Sequence, residues 1–143
     1  MLVDQILEAK GRAVATVAPD ATVAEAVAAL DEHNVGALVV SSDGRVVEGI
    51  LSERDVVRGL SEGAEVLQRR VRDLMATDVS TCHGRSGVEE LMATMTTGRF
   101  RHLPVVAGGE LCGIISIGDV VKARIDELAT ETQQLVGYIR DGR

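Results

Sequence analysis

Aromatic residues are nearly absent from this 143-residue chain: Phe100 and Tyr138 stand alone, and there is no tryptophan. A core must therefore be assembled from Val, Ile, Leu, Ala and Met, and the aromatic stacking platforms that hold single-stranded RNA and DNA are excluded. Cysteine is as scarce. Cys82 and Cys112 belong to no Cys-x-x-Cys or His/Cys cluster that could hold zinc, and two cysteines make no disulfide framework. This usage predicts a reducing, cytoplasmic setting. Positive charge is in deficit: 15 Lys and Arg against 22 Asp and Glu give a net charge of -7, which opposes the counterion-release attraction to polyanions. Nucleic acid is not expected as a partner, although a local basic pocket is compatible with that balance. Long hydrophobic runs are missing as well. The longest uncharged stretches, such as Val35 to Val40, are strand-length and far below the ~20 residues needed to cross a bilayer, so no membrane insertion is expected. Asp4 and Glu8 fall early in a segment without a long apolar core, and neither a signal nor a transit peptide is read there. What remains, 45% hydrophobic and 26% charged, fits one globular domain or a fused pair of small units.

The chain repeats itself. Glu25-Ala26-Val27-Ala28-Ala29-Leu30 aligns with Glu90-Leu91-Met92-Ala93-Thr94-Met95, a displacement of 65 residues. The same displacement carries Val14-Ala15-Thr16-Val17 onto Val79-Ser80-Thr81-Cys82 and Ala37-Leu38-Val39-Val40 onto His102-Leu103-Pro104-Val105. Gly49-Ile50-Leu51-Ser52 matches Gly113-Ile114-Ile115-Ser116 at 64, so one loop is a residue shorter. In each unit a short β segment (Ala13 to Val17; Val79 to Cys82) precedes a capping-box start, Thr22-x-x-Glu25 or Ser86-x-x-Glu89. Apolar residues then fall at Val23, Val27, Leu30 and at Val88, Leu91, Met92, Met95, the spacing of one buried helix face. Two β-rich runs follow, Ala37 to Val40 and Arg45 to Leu51, with Ser42-Asp43-Gly44 as the turn; Gly108-Gly109 serves the second unit. A second helix starts near Ser52 or Ser116. The polar segment from Leu60 to Arg72 is read as a linker with a lead-in helix ending at Leu74-Met75, and Val3 to Leu7 as the equivalent lead-in of the first unit.

Both units contain Gly-apolar-apolar-Ser-x-x-Asp where a strand gives way to a helix: Gly49 to Asp55 and Gly113 to Asp119. Unpaired N–H groups and the helix dipole at such a place attract phosphate, and an Asp offers two acceptor oxygens to paired ribose hydroxyls. The plain alternative is helix capping, with Ser as N-cap and the acid complementing the dipole. Recurrence in both units favours the binding role, although common ancestry makes the two copies less than independent.

With Asn34-Val35-Gly36-Ala37-Leu38-Val39-Val40 and Arg101-His102-Leu103-Pro104-Val105-Val106 ahead of them, these paired motifs resemble a tandem cystathionine-β-synthase (CBS) domain pair, the Bateman module. The similarity spans the chain to about residue 125 and is closer to free-standing two-repeat members than to a fragment of an enzyme or channel. It implies an α+β fold of two β-α-β-β-α repeats related by pseudo-twofold symmetry: repeat one over 1–60 with its lead-in helix, a linker over 61–72, repeat two over 73–125, and a C-terminal helix over 126–143. It also implies adenosine-containing ligands (AMP, ADP, ATP, possibly NAD or S-adenosylmethionine) in two clefts between the repeats, as regulatory ligands and not as a required cofactor. By the same resemblance one cleft combines Ile50, Ser52, Arg54 and Asp55 with Thr77, Val79, Ser80, Arg101 and His102. The other combines Ile114, Ser116, Gly118 and Asp119 with Val14, Ala15, Val35 and Gly36. Arg54, Arg101 and His102 should make the first the more phosphate-selective, since the second has Val35-Gly36 and Gly118 at the matching places. Val39 stands where the family pattern has Pro, which loosens a backbone constraint. Scarcity of aromatics leaves aliphatic walls and main-chain hydrogen bonds to hold the base.

No catalytic constellation emerges. His33, His83 and His102 lack metal-ligand spacing, Ser52 and Ser116 have no sequence-local base, and neither a Walker loop nor a Rossmann turn is present. The expectation is a non-catalytic sensor acting on a regulated protein partner not identifiable from sequence. The rival is a scaffold that docks on an enzyme or transporter without binding ligand. From Asp119 onward, Val121, Ile125, Leu128, Thr132, Leu135 and Ile139 form a heptad-like seam broken once by threonine. Docking on its own domain is the plain alternative, but the helix outruns the repeat and its stripe is narrow, which favours a homodimer contact.

Overall fold

Each half of the chain folds its apolar runs into a small sheet and lays the helically spaced runs upon it. A computed structural model describes residues 1–140. Helix α1 (Val3–Lys10) is followed by β1 (Thr16–Val17), α2 (Val23–His33), β2 (Ala37–Val40), β3 (Gly49–Ser52) and α3 (Glu53–Leu60). A 3-10 turn at Ala64–Gln68 and α4 (Val71–Leu74) lead to α5 (Val88–Gly98), β4 (His102–Ala107), β5 (Glu110–Ser116) and α6 (Ile117–Arg140). In the first repeat β1 runs parallel to β2, and β2 antiparallel to β3 with Leu38 opposite Leu51. In the second, β4 and β5 are antiparallel with Leu103 opposite Ile115. The α+β fold of two repeats with a C-terminal helix is the one expected, although the helix expected over 126–143 is continuous with the last helix of the second repeat, both being α6. Positions 141–143 of that expectation lie outside the described residues.

Two aliphatic cores result. Leu38, Val40 and Leu51 pack beneath Val23, Ala26 and Leu30 of α2 and Val56 of α3. Leu103, Val105 and Ile115 pack beneath Val88, Leu91 and Met95 of α5 and Val120 and Ala123 of α6. Full burial of each such Val or Leu side chain contributes roughly 1.5–3 kcal/mol. Ala37 and Val39 alternate to the other face of β2 and are buried as well, so this strand is covered on both sides.

The lead-in helices are exchanged between the repeats. Val3, Ile6 and Leu7 of α1 join the second core, and Val71 of α4 joins the first. This crossing explains the glycine that opens each Gly-apolar-apolar-Ser motif. A Cβ on Gly113 would stand 2.8 Å from the Leu7 methyl carbons, and one on Gly49 would stand 2.7 Å from Met75 Sδ and 2.9 Å from the Ala76 carbonyl. Both contacts are closer than real Cβ atoms tolerate.

Local departures from the sequence pattern have local causes. The Thr22–Glu25 capping box forms, with Glu25 N–H on Thr22 Oγ1 at 3.1 Å and Thr22 N–H on Glu25 Oε2 at 3.0 Å. Its expected counterpart at Ser86 does not: Ser86 is buried with Oγ accepting the His83 N–H at 3.1 Å, and α5 begins one residue later with Gly87 as N-cap. The expected strand over Val79 to Cys82 shrinks to one bridge, Cys82 to Val105. Arg45 and Val46 stay out of β3 because Asp43 Oδ1 accepts both their N–H groups, at 2.8 and 3.0 Å.

Candidate functional site

At the end of β3, Ser52 caps α3: its Oγ accepts the Asp55 N–H at 3.3 Å, while Asp55 Oδ2 accepts the Ser52 N–H at 2.9 Å and its hydroxyl at 3.0 Å. The end of β5 repeats this, with the Asp119 N–H on Ser116 Oγ at 3.2 Å and the Ser116 N–H on Asp119 Oδ2 at 2.8 Å. Even the first helical amides are used alike, Glu53 N–H on the Gly36 carbonyl at 2.9 Å and Ile117 N–H on the Arg101 carbonyl at 2.8 Å. Capping is therefore real in both repeats. It engages Asp55 through Oδ2, and among the described residues Oδ1 has no hydrogen-bond partner.

Between the start of α3, the end of α5 and the start of β4 lies a cleft of about 430 Å³. Ile50, Ser52, Arg54, Asp55, Arg101 and His102 line it, all six placed there by sequence. Thr77, Val79 and Ser80 do not. The chain touches the cleft at Ala76, whose backbone bridges to Ile50 (N–H to carbonyl 2.9 Å, the reverse 3.0 Å), and then leaves it. Gly36, expected in the second cleft, belongs to this one. The bond to Glu53 holds it there, and a Cβ on it would stand 3.3 Å from His102 Cε1.

Among the lining residues that were not anticipated are Glu53, Arg58, Arg99 and Phe100. Arg58 follows Arg54 by four positions and so shares its helix face, a readable signal. Arg99 takes the left-handed conformation at the end of α5 (φ 56°), and nothing in its sequence context marks it as a ligand contact. Four arginines thus face two acids, Glu53 and Asp55, giving a basic lining inside an acidic chain. His102 is half-buried. Burial pushes its pKa below the ordinary 6.5, opposed by Glu53 and Asp119 and reinforced by Lys10 and Arg101.

The second cleft does not assemble from the expected set. A hollow of about 220 Å³ beside α6 contains Asp119 but neither Val14, Ala15, Val35 and Gly36 nor Ile114, Ser116 and Gly118. Ala15 packs on the first core and Val35 is exposed. The walls are supplied by α1 and α6 instead, through Gln5, Ile6, Lys10 and Lys122 among others. Lys10 Nζ donates to Asp119 Oδ2 at 2.7 Å and to the Ile114 carbonyl at 3.0 Å. Burial raises the Asp119 carboxyl, but the bonds from Lys10 and Ser116 together hold it below the usual carboxylate range.

Among the described residues no group of three His, Cys, Asp or Glu side chains is placed to hold a metal ion, and no helix is long and apolar enough to cross a membrane. Cys82 is buried, which pushes its thiol up to about 12.

A family model for the CBS domain matches the chain twice, over residues 9–62 and 71–126. The crystal structure of a CBS-domain containing protein from Agrobacterium tumefaciens has a TM-score of 0.83 and 49% identity, covering 87% of this chain and 99% of that one. The CBS domain-containing protein CBSX3, mitochondrial, of Arabidopsis thaliana is 38% identical over 128 residues, 86% of this chain and 62% of that protein's length. The crystal structure of CBSX2 in complex with AMP has a TM-score of 0.69 and 28% identity over 79% of this chain and 88% of that one.

Proposed function

The chain belongs to the CBS-domain family, with two repeats in tandem, and from that premise we propose a non-catalytic regulatory sensor whose first cleft binds an adenosine-containing nucleotide. The observation that carries this is the convergence of Ser52, Asp55 and four arginines on one cleft of about 430 Å³. That volume is ordinary for a small-molecule site, ~300–1,000 Å³. Asp55 Oδ1 suits a ribose hydroxyl, and Arg54, Arg58, Arg99 and Arg101 suit phosphate oxygens through charge-assisted bonds. The AMP complex of CBSX2 supports the ligand class. Among adenosine ligands the basic lining favours AMP, ADP, ATP and NAD over S-adenosylmethionine, whose sulfonium is itself cationic.

A sensor must couple occupancy to conformation, and the coupling cannot exceed the ligand's differential affinity for two states. The cleft spans both repeats, α3 from the first and β4 from the second, so occupancy bears on their relative position. The readout is a second copy of the chain joined through α6, together with a regulated protein partner.

Calorimetric titration with AMP, ADP, ATP, NAD and S-adenosylmethionine tests the proposal. Heat is expected with the phosphate-bearing ligands, and Asp55→Asn, which preserves a capping oxygen, should weaken binding about 10-fold or more by removing a charged acceptor. No heat with any of the five overturns the sensor and leaves the ligand-free scaffold.

A further inference from the structure

The two repeats satisfy the same strand carbonyl in different ways. The carbonyl of Ile50 accepts the Ala76 N–H at 2.9 Å, a backbone group following α4. The carbonyl of Ile114, the equivalent position in the second repeat, accepts Lys10 Nζ at 3.0 Å, a side chain at the end of α1. Helix lengths account for the difference. Helix α4 has four residues, so the chain leaves it early and runs back along the strand edge. Helix α1 has eight, about 12 Å at 1.5 Å per residue, and ends at Gly11 with φ 101°, which turns the backbone away and leaves Lys10 to reach the edge.

The same ammonium also lies 2.7 Å from Asp119 Oδ2, the counterpart of Asp55 Oδ2. Asp55 has no cation within salt-bridge distance among the described residues, whereas Asp119 and Lys10 form a pair with side chains 22% and 33% exposed. A nucleoside entering the second cleft meets a carboxylate whose charge the Lys10 ammonium already neutralises, and a side chain that spans from that carboxylate to the Ile114 carbonyl across the place a ligand would take. In the first cleft the Ile50 carbonyl is bridged by backbone alone and Asp55 keeps its charge unpaired among the described residues. We propose that Lys10 is an internal ligand of the second cleft, so that each chain offers one nucleotide site, the first cleft, until α1 moves. This inference rests on the nucleotide reading of the first cleft and adds a stoichiometry to it.

The sequence supplies an internal control, because Lys10 and Lys122 are its two lysines and both border the same hollow. In acetylation with a water-soluble active ester, quantified by peptide mass spectrometry, Lys10 should react several-fold more slowly than Lys122. Asp119→Asn should remove most of that difference. Native mass spectrometry with AMP and ATP should find one nucleotide per chain in the unaltered protein, two in Lys10→Ala, and one in the Lys10→Ala, Asp55→Asn double variant. Equal labelling of the two lysines, two nucleotides on the unaltered chain, or one on Lys10→Ala each overturns the proposal. If no variant binds nucleotide while the labelling contrast persists, the parent reading has failed and the stoichiometry falls with it, so the two failures are distinguishable.

Discussion

Leu7 lies over Gly113, its methyl carbons 2.8 Å from where a Cβ would stand. One residue of the first lead-in helix therefore seals the core of the second repeat, and Met75 does the same for the first at Gly49. Gly113→Ala is expected to destabilise the fold by about 1–3 kcal/mol, the usual range for overpacking, although Ala normally favours an extended strand no less than Gly. Leu7→Ala combined with Gly113→Ala should recover part of that loss. A denaturant melt of the three variants decides it; losses that simply add would show that the two residues do not meet.

This crossing also marks how far the sequence could be read. The boxes at Thr22, Ser52 and Ser116 were legible because a cap is made within a few residues of chain. The box at Ser86 was not, because Ser86 Oγ turns to His83 and the helix starts without it. Periodicity shows that Val3, Ile6 and Leu7 form a buried face but not which repeat buries them, and here it is the distant one. The first cleft was half visible for the same reason. Ser52, Arg54 and Asp55 sit on one turn, whereas Arg99 and Phe100 arrive only by folding. Lys10 in the second cleft is a tertiary contact across 109 residues, beyond the reach of any local pattern.

Phe100, one of the two aromatic residues, borders the first cleft and revises the expectation of purely aliphatic walls for the base. Its ring folds back onto Gly98, where any Cβ would collide with it. If the adenine stacks on this ring, Phe100→Ala should cost about 1–3 kcal/mol of nucleotide affinity. Gly98→Ala should push the ring aside and weaken binding too, without the gain of about 0.5–1 kcal/mol in stability that Ala brings to an unconstrained helix position. Paired calorimetry and thermal melts on both variants are the check; unchanged affinity in Phe100→Ala removes the ring from the site.

Acidification should act in two stages. The folded pKa of His102 lies below the ordinary 6.5, so the unfolded chain takes up the proton first, and stability falls as pH drops below 6.5 toward the folded value. Asp119, also depressed, contributes stability that is complete above 3.8 and is lost as pH falls through its folded value. Melting temperature against pH should show both declines, and His102→Gln should flatten the first while leaving the second. Phosphate beside His102 raises its pKa, so between pH 8 and pH 6, where the AMP phosphate takes up a proton of its own and binds the arginines less strongly, affinity should hold up better in the unaltered protein than in His102→Gln. A histidine remote from the phosphate would give parallel profiles.

Helix α6 docks on its own domain through Val120 and Ala123, yet Val121, Ile125, Leu128, Leu135 and Ile139 remain 45%, 60%, 45%, 60% and 67% exposed. Such a stripe along one helix exceeds what a monomer normally leaves to water. It is also nearly symmetric about its own midpoint. An antiparallel pairing sets Val121 against Ile139, Ile125 against Leu135, and Leu128 against Thr132 of a second copy, with each pair occurring twice. That is the self-complementarity a two-fold contact requires, with the two Leu128–Thr132 layers flanking its axis. Ile125→Glu or Leu135→Glu would place charge in this seam without touching either core, so light scattering coupled to size exclusion should show a dimer become a monomer whose far-ultraviolet circular dichroism is unchanged. Thr132→Leu should tighten the dimer by replacing both of its Leu128–Thr132 layers with leucine against leucine. A protein that runs as a monomer before any substitution would show that the stripe serves a different partner.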